Sequence, residues 1–437
     1  MTGNPEAASV IWSPAQRHGA LALLCLVGVF NMMDRQIMAI LLEPIRKEFG
    51  ASDTQMGLLT GTAFALFYVA ASIPLARAAD RFQRGRLLGV VLGFWSVMTL
   101  LGGVATSFTT LLLTRIGVAV GEAGSSPASF AMVPDLYPLR HRAKAMSIYI
   151  ASMSVGSGVA VVLGGWLAEN FGWRMALVAA GAPGILLAVL IWFALAEPPR
   201  GMSDPLPATR ADARYGFLET LQILRRSPTF LCCMTLVSFG AVTGYGVMTW
   251  GATFLMRVHG LSPAETGFIF GSVSMLALVA GQIFTGVVAD WAGRRDIRAY
   301  LWCAAAGCAL ALPFGLVFVL AGQWWLAMAG FGLHAFFLGS HSMCAYTISQ
   351  SVLPPRTRGT ASMIISLGAT IFGFGFAPLI VGVSNDLLEP IHGAFAIRYS
   401  IMIILAFLLV CVLAALLGTI WVRREYATLN QVETKET

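Results

Sequence analysis

The chain is short of charge. Asp, Glu, Lys and Arg together make up 11% of its 437 residues, against about 25% in an ordinary soluble domain. That is too little to cover a water-facing surface. With 57% hydrophobic residues, it excludes a soluble globular protein and makes lipid the expected solvent. Other absences narrow the field. The seven cysteines (Cys25, Cys232, Cys233, Cys303, Cys308, Cys344 and Cys411) are odd in number, sit in apolar stretches and form no C-x-x-C. Neither a disulfide framework nor a metal site is indicated, and small packing residues are the expectation. There is no H-E-x-x-H, no Walker-type glycine loop and no nucleophile elbow in a suitable context. ATP drive and hydrolytic chemistry therefore have no support; no enzyme and no cofactor is expected. The first 17 residues lack an apolar core, so no cleavable signal peptide is expected. The net charge of +7 is scattered over separate loops, which is no argument for nucleic acid.

What the chain has is apolar length. A helix that crosses a bilayer needs ~20 mainly apolar residues. Twelve such stretches are visible, at about 18–42, 54–78, 86–106, 108–133, 143–168, 174–196, 229–256, 263–289, 299–321, 323–350, 359–385 and 394–422. They are long and continuous, whereas a barrel strand would be ~10 residues of alternation. Of the 28 Lys and Arg, 21 fall on one set of connections, five on the other, and Arg35 and Arg115 lie inside spans. The positive-inside rule makes the 21 side cytoplasmic, with both termini on it. The fold class is then an all-α integral membrane protein of twelve transmembrane helices in two six-helix bundles. The segments are a 1–17 cytoplasmic N-terminal segment, an 18–196 bundle, a 197–228 cytoplasmic linker, a 229–422 bundle and a 423–437 polar tail, expected to be irregular. In the linker, Phe217, Leu218, Leu221 and Leu224 before Arg225-Arg226 read as a short amphipathic helix on the membrane surface.

Two tracts repeat at nearly one offset. Asp80-Arg81-Phe82-Gln83-Arg84-Gly85-Arg86 returns 210 positions on as Asp290-Trp291-Ala292-Gly293-Arg294-Arg295, and Pro138-Leu139-Arg140-His141-Arg142 returns 216 on as Pro354-Pro355-Arg356-Thr357-Arg358. The chain is a duplicated unit of half its length, the signature of a transporter whose site lies between its halves. Positive-inside topology needs no Asp, so Asp80, Arg84, Arg86, Asp290, Arg294 and Arg295 are expected to gate the cytoplasmic side through interhelical salt bridges. Gly156, Gly158, Gly164 and Gly165 in the fifth span, and Gly368, Gly373 and Gly375 in the eleventh, suit close helix contact and helices that slide or bend.

Ionisable residues deep in spans are rare and by default functional. Four stand out: Asp34 and Arg35 in the first span, Arg115 and Glu122 in the fourth. Each costs about 2.5–3.5 kcal/mol at the bilayer centre unless paired or hydrated. Arg115 and Glu122 lie two turns apart on one helix face, backbones roughly 10 Å apart. Asp34 and Arg35 point ~100° apart, so one can face a cavity and the other a neighbouring helix. Asn31, one turn earlier, extends the polar patch. A charge network that only locks two helices together is the plainer alternative. Tyr245, Trp250, His334 and His341 are candidates to line the cavity, with packing as their alternative.

These motifs resemble the major facilitator superfamily, whose Asp-x-x-x-Arg signature lies between helices two and three and between helices eight and nine. The resemblance covers nearly the whole chain and implies the major facilitator fold. Within the superfamily the chain is similar to the spinster family of lipid transporters. Asn31-Met32-Met33-Asp34-Arg35, Asp80-Arg81-Phe82-Gln83-Arg84, Arg115 with Val120-Gly121-Glu122-Ala123, and Val155-Gly156-Ser157-Gly158 carry that likeness. Organic anion–proton symporters share the helix-one and helix-four pairs. The resemblance implies alternating access in a bacterial-type inner membrane. It places Arg115 and Glu122 in the central cavity and gives Asp34 a part in proton coupling; the residues themselves add Glu122 as a proton-coupling site, and Arg35 and Asn31 beside Arg115 and Glu122 as substrate-binding candidates. The expected partners are an anionic lipid, such as a sphingosine phosphate or lysophospholipid, and protons. A small organic carboxylate is the alternative substrate, a non-transporting receptor or scaffold the alternative class, and a monomer the expected state.

Overall fold

A computed structural model describes residues 12–199, 217–354 and 357–436; the Arg356 copy of the second repeat and linker residues 200–216 lie outside the described residues. Among those described, the chain is all-helical. The helices are α1 (Pro14–Phe49), α2 (Asp53–Gly57), α3 (Ala63–Arg81), α4 (Arg84–Gly103), α5 (Phe108–Glu122), α6 (Ser125–Leu136), α7 (Leu139–Ala194), α8 (Phe217–Arg226), α9 (Pro228–His259), α10 (Pro263–Gly293), α11 (Ala299–Leu320), α12 (Trp324–Leu338), α13 (Ser340–Val352), α14 (Arg358–Gly368), α15 (Ala377–His392) and α16 (Ala396–Glu436).

Among the described residues, eight helical runs are long and apolar enough to cross a membrane. The difference from the twelve expected stretches has physical causes. The fifth and sixth stretches are two helices within α7 that meet at a kink at Gly172, whose φ of +82 and ψ of 159 are non-helical, a conformation only glycine adopts without strain. The eleventh and twelfth join through the short turn Gly393–Phe395. The fourth and tenth break at Gly124 and Gly339 into pieces of 15 and 12 and of 15 and 13 residues. These two breaks are 215 positions apart, the offset of the sequence repeat, so the duplication extends to the place where a helix bends. The C-terminal tail is helical rather than irregular: α16 continues to Glu436. Residues 425–436 contain neither Gly nor Pro, and a formed helix extends at little cost until something stops it. Glu425 accepts from Ser227 Oγ at 2.5 Å and Thr229 N at 3.2 Å, tying α16 to the start of α9. The linker helix α8 buries Leu224 and exposes Leu218 and Leu221.

Contacts divide the chain into two compact units. One holds residues 1–35, 67–157 and 177–212; the other holds residues 36–66, 158–176 and 213–437. Besides the linker, the boundaries run through α1, α3 and α7. Within the second unit, ends of helices from the first half of the sequence pack on helices of the second half. Glycine permits the approach: a Cβ on Gly57 would lie 2.5 Å from the Pro378 carbonyl oxygen, and one on Gly165 3.0 Å from Gly267 Cα. Two π-helical turns meet there, Leu58–Thr62 and Ala369–Phe376. Thr62 Oγ1 donates to the Gly375 carbonyl at 2.8 Å, and Phe64 packs edge-on against Phe374. Wide turns of this kind concentrate at functional sites.

Candidate functional site

The first unit brings all four deep charges together. α1 supplies Asn31, Asp34 and Arg35; α5 supplies Arg115 and Glu122. Asn31, Asp34, Arg115 and Glu122 are buried, while the Arg35 side chain keeps 15% of its surface. Arg35 Nε donates to Glu122 Oε2 at 2.6 Å, and the Arg35 guanidinium lies over the Tyr68 ring at 4.7 Å. Arg115 Nη2 donates to the backbone carbonyl of Asp34 at 3.2 Å. The Asp34 carboxylate lies toward Thr99 and Trp95 of α4, and the Asn31 amide sits beside Glu122 without a well-formed hydrogen bond. The adjacent pair on α1 is split as its geometry requires: Asp34 turns to a neighbouring helix and Arg35 is the more accessible cation. Glu122 is held by Arg35 across 87 positions of sequence, and its partner within α5, Arg115, contacts α1 instead. The cluster has two guanidiniums, two carboxylates and one amide in an otherwise apolar setting. It can bind an anion bidentately and exchange a proton at a carboxylate.

The gating residues are placed unequally. Arg84 is buried and staples three elements: Nη1 donates to Asp135 Oδ2 of α6 at 2.7 Å, Nε to Glu197 Oε1 beyond α7 at 2.7 Å, and further bonds reach the carbonyls of Ala131 and Pro198, both at 3.2 Å. Asp80 is exposed at the end of α3, and Arg86 lies over Trp192 at 5.8 Å. In the second copy, Asp290 accepts from Tyr300 at 2.9 Å and Arg295 stacks on Trp291 at 4.9 Å. The ion pair there belongs to Asp296, with Arg298 Nη2 at 2.8 Å and Arg423 Nη2 at 3.7 Å. Hydrogen bonds from the Arg298 side chain and backbone N hold the Asp296 carboxyl below the usual carboxylate range. The structure does not bring Asp290 into an ion pair with Arg294 or Arg295 among the described residues.

Of the four cavity candidates, three are packed inside. Trp250 Nε1 donates to the Pro378 carbonyl at 3.0 Å. His334 bonds the Ala311 carbonyl at 2.8 Å and His341 the Leu338 carbonyl at 2.5 Å. Tyr245 alone keeps substantial exposure, 37%.

A second charged cluster was not legible in sequence. At the end of the second unit where α1 meets α2, Arg257 of α9 donates to Asp53 by two bonds, 2.6 and 2.8 Å, and to Glu43 at 2.7 Å. Arg46 pairs with Asp53 at 2.8 Å and Glu389 at 3.3 Å. Asp386 accepts from the backbone N of Asp53 and Thr54 at 2.9 and 2.8 Å. Asp53, Glu43 and Asn385 are buried. Arg46 and Arg257 looked like ordinary loop charges; the one available signal was Glu43, an acid at the edge of an apolar stretch. Among the described residues, no group of His, Cys, Asp and Glu could hold a metal ion.

Helices of this length, a duplicated half and a buried charge cluster on the first and fourth spans define a membrane transporter. Residues 24–378 match the model of the Major Facilitator Superfamily, and the chain belongs to that family. It is an integral multi-pass protein of the plasma membrane, and its relatives are transporters. An "MFS-type efflux pump" of Mycolicibacterium smegmatis is 31% identical over 90% of this chain and 91% of its own. The "Sphingosine-1-phosphate transporter SPNS2" of Danio rerio is 26% identical over 85% and 76%, and a "Probable L-galactonate transporter" of Escherichia coli is 26% identical over 84% and 83%. Among solved structures, a bacterial homolog of the human lysosomal transporter spinster, described as inward-facing and unoccupied, aligns with TM-score 0.87 at 29% identity over 95% of this chain and 99% of that one. Within the superfamily the chain is thus spinster-like.

Proposed function

We propose that the chain moves an amphipathic anion, a lipid with a phosphate head, across the membrane by alternating access coupled to protons. The observation that carries this reading is the Arg35–Glu122 pair, 2.6 Å apart, with Glu122 fully buried and Arg35 partly accessible. An arriving phosphate competes with Glu122 for the Arg35 fork, and Arg115 behind it adds a second guanidinium. Lys in either place would keep the charge and lose the fork. A buried carboxylate stripped of its cation is costly, of the order of several kcal/mol, unless a proton neutralises it. Substrate capture and proton uptake are thereby linked at one carboxylate, with Asp34 as the second acid. The linkage serves symport or antiport alike, depending on which states reorient.

Twelve crossings in two six-helix halves, cytoplasmic termini and a monomer complete the proposal. Arg84 and its partners in the first unit, and Arg257 with Asp53 and Glu43 in the second, are the elements whose making and breaking would alternate. The named activity of the zebrafish relative supports a lipid substrate; that of the Escherichia coli relative favours a small carboxylate as a second reading. Uptake of sphingosine phosphate, lysophospholipids and hexonates into proteoliposomes, with and without a pH gradient, separates them. Flux of hexonates alone overturns the lipid assignment, and flux of neither class overturns both.

A further inference from the structure

Apart from the charge cluster, the first unit has a cavity of about 430 Å³ where α1 begins and where α6 hands over to α7. Arg17 and His18 reach it from the first turns of α1, His141 and Lys144 from those of α7, and among the described residues no carboxylate lines it. The positive charge is therefore uncompensated locally. Arg17 Nε is buried with no hydrogen-bond partner among the described residues, an arrangement that costs free energy until an acceptor arrives. Both helices also present their N-terminal ends here, where the macrodipole and the unpaired backbone N–H groups favour an anion. The deeper wall is apolar: Leu21 and Ala145 are buried, Ile148 is 46% exposed, and the Tyr137 ring is held by a 2.8 Å bond between its hydroxyl and His18 Nδ1.

We propose that this cavity is a binding site for the headgroup of an anionic membrane phospholipid, with its phosphodiester on Arg17 and Lys144 and the start of an acyl chain along Leu21 and Ile148. The shared chemistry with a free phosphate is the cationic pair; the apolar wall, at the level where two spans start, selects the lipid. Basic pockets between transmembrane helices hold anionic headgroups in this manner. The site is independent of the Arg35–Glu122 cluster: it lies at the ends of α1 and α7 and shares no residue with it.

The test is lipid binding to the full chain in a neutral detergent, read by native mass spectrometry and thermal melting. The probes are phosphatidylglycerol, phosphatidylcholine and inorganic phosphate. Wild type should retain phosphatidylglycerol, raising its melting temperature, and should hold phosphatidylcholine and phosphate at least tenfold more weakly. The R17Q/K144Q double variant, which keeps polar side chains without the charge, should lose that preference at least tenfold while its lipid-free melting temperature stays near wild type. An R17A/K144A variant gives the same reading if the Gln pair folds poorly. Unchanged phosphatidylglycerol binding in a folded double variant overturns the site. Equal binding of phosphatidylcholine overturns the headgroup, and phosphate binding as tight as the lipid overturns the lipid. The readouts are lipid retention and melting rather than flux, so failure of the transport reading leaves this result intact.

Discussion

Replacing Glu122 by Gln removes one charge and almost no volume. In the native cluster Arg35 Nε and Glu122 Oε2 are 2.6 Å apart, Glu122 is fully buried and Arg35 keeps 15% of its side-chain surface. At that separation and an effective dielectric of about 20, the attraction is about 6 kcal/mol gross. Desolvation offsets much of it. Truncating one partner of such a pair costs about 3–5 kcal/mol. The Gln amide oxygen still accepts from Arg35, and that bond stays charge-assisted because the guanidinium remains ionised. The expected net loss is therefore about 1–3 kcal/mol, enough to lower the melting temperature and too little to unfold the protein. The functional effect should be larger. If Glu122 is the coupled site, one proton per cycle can sustain about a tenfold substrate gradient for each pH unit, because one unit is 1.36 kcal/mol. The assay is proteoliposome flux of sphingosine phosphate or a lysophospholipid under a clamped one-unit pH gradient, beside gradient-free exchange of labelled for unlabelled substrate. Wild type should accumulate; Glu122→Gln should exchange at a comparable rate and not accumulate. Accumulation by the Gln variant equal to wild type would refute the assignment, and the proton role would pass to Asp34.

Four further outcomes follow from the geometry. Arg35→Ala and Arg115→Ala should each weaken substrate binding, and Arg35→Lys should impair it less, by about 1–2 kcal/mol for the lost fork; calorimetric affinity equal to wild type in either Ala variant removes that residue from the site. Arg84→Ala removes the guanidinium that lies 2.7 Å from both Asp135 and Glu197 and should destabilise by about 2–4 kcal/mol, less than a fully buried pair because Glu197 is partly exposed; a melting temperature within a degree of wild type counts against the staple. Arg257→Ala should open the α1–α2 end, raising thiol labelling at a Met256→Cys reporter that lines the cavity beside it, and Gly57→Val should act in the same direction because its Cβ would meet the Pro378 carbonyl at 2.5 Å; unaltered labelling in both disconnects this cluster from closure. Asp296, depressed by Arg298, adds stability present above the ordinary carboxylate range and lost as pH falls through its lowered value, so Asp296→Asn should flatten the acid limb of a pH–melting profile; an unchanged limb shows that this exposed pair contributes nothing.

The sequence by itself determined the solvent, the helical class and the duplication. A chain with 11% charge must hide its backbone polar groups inside helices, because lipid offers them no partner. It also marked Asp34, Arg35, Arg115 and Glu122, since a charge retained in an apolar helix is expensive. Only the tertiary structure decided who pairs with whom. Helical spacing set Arg115 and Glu122 on one face of α5, yet Glu122 is held by Arg35 of α1 and Arg115 by the Asp34 carbonyl. Local periodicity specifies a face and not the neighbour that comes to lie against it. Likewise His334 and His341 share a helix face by spacing, and the fold spends both on backbone carbonyls. Arg257 and Asp53 are 204 positions apart in sequence. Nothing near either residue foretells the other, because their attraction matters only once packing has excluded water from between them.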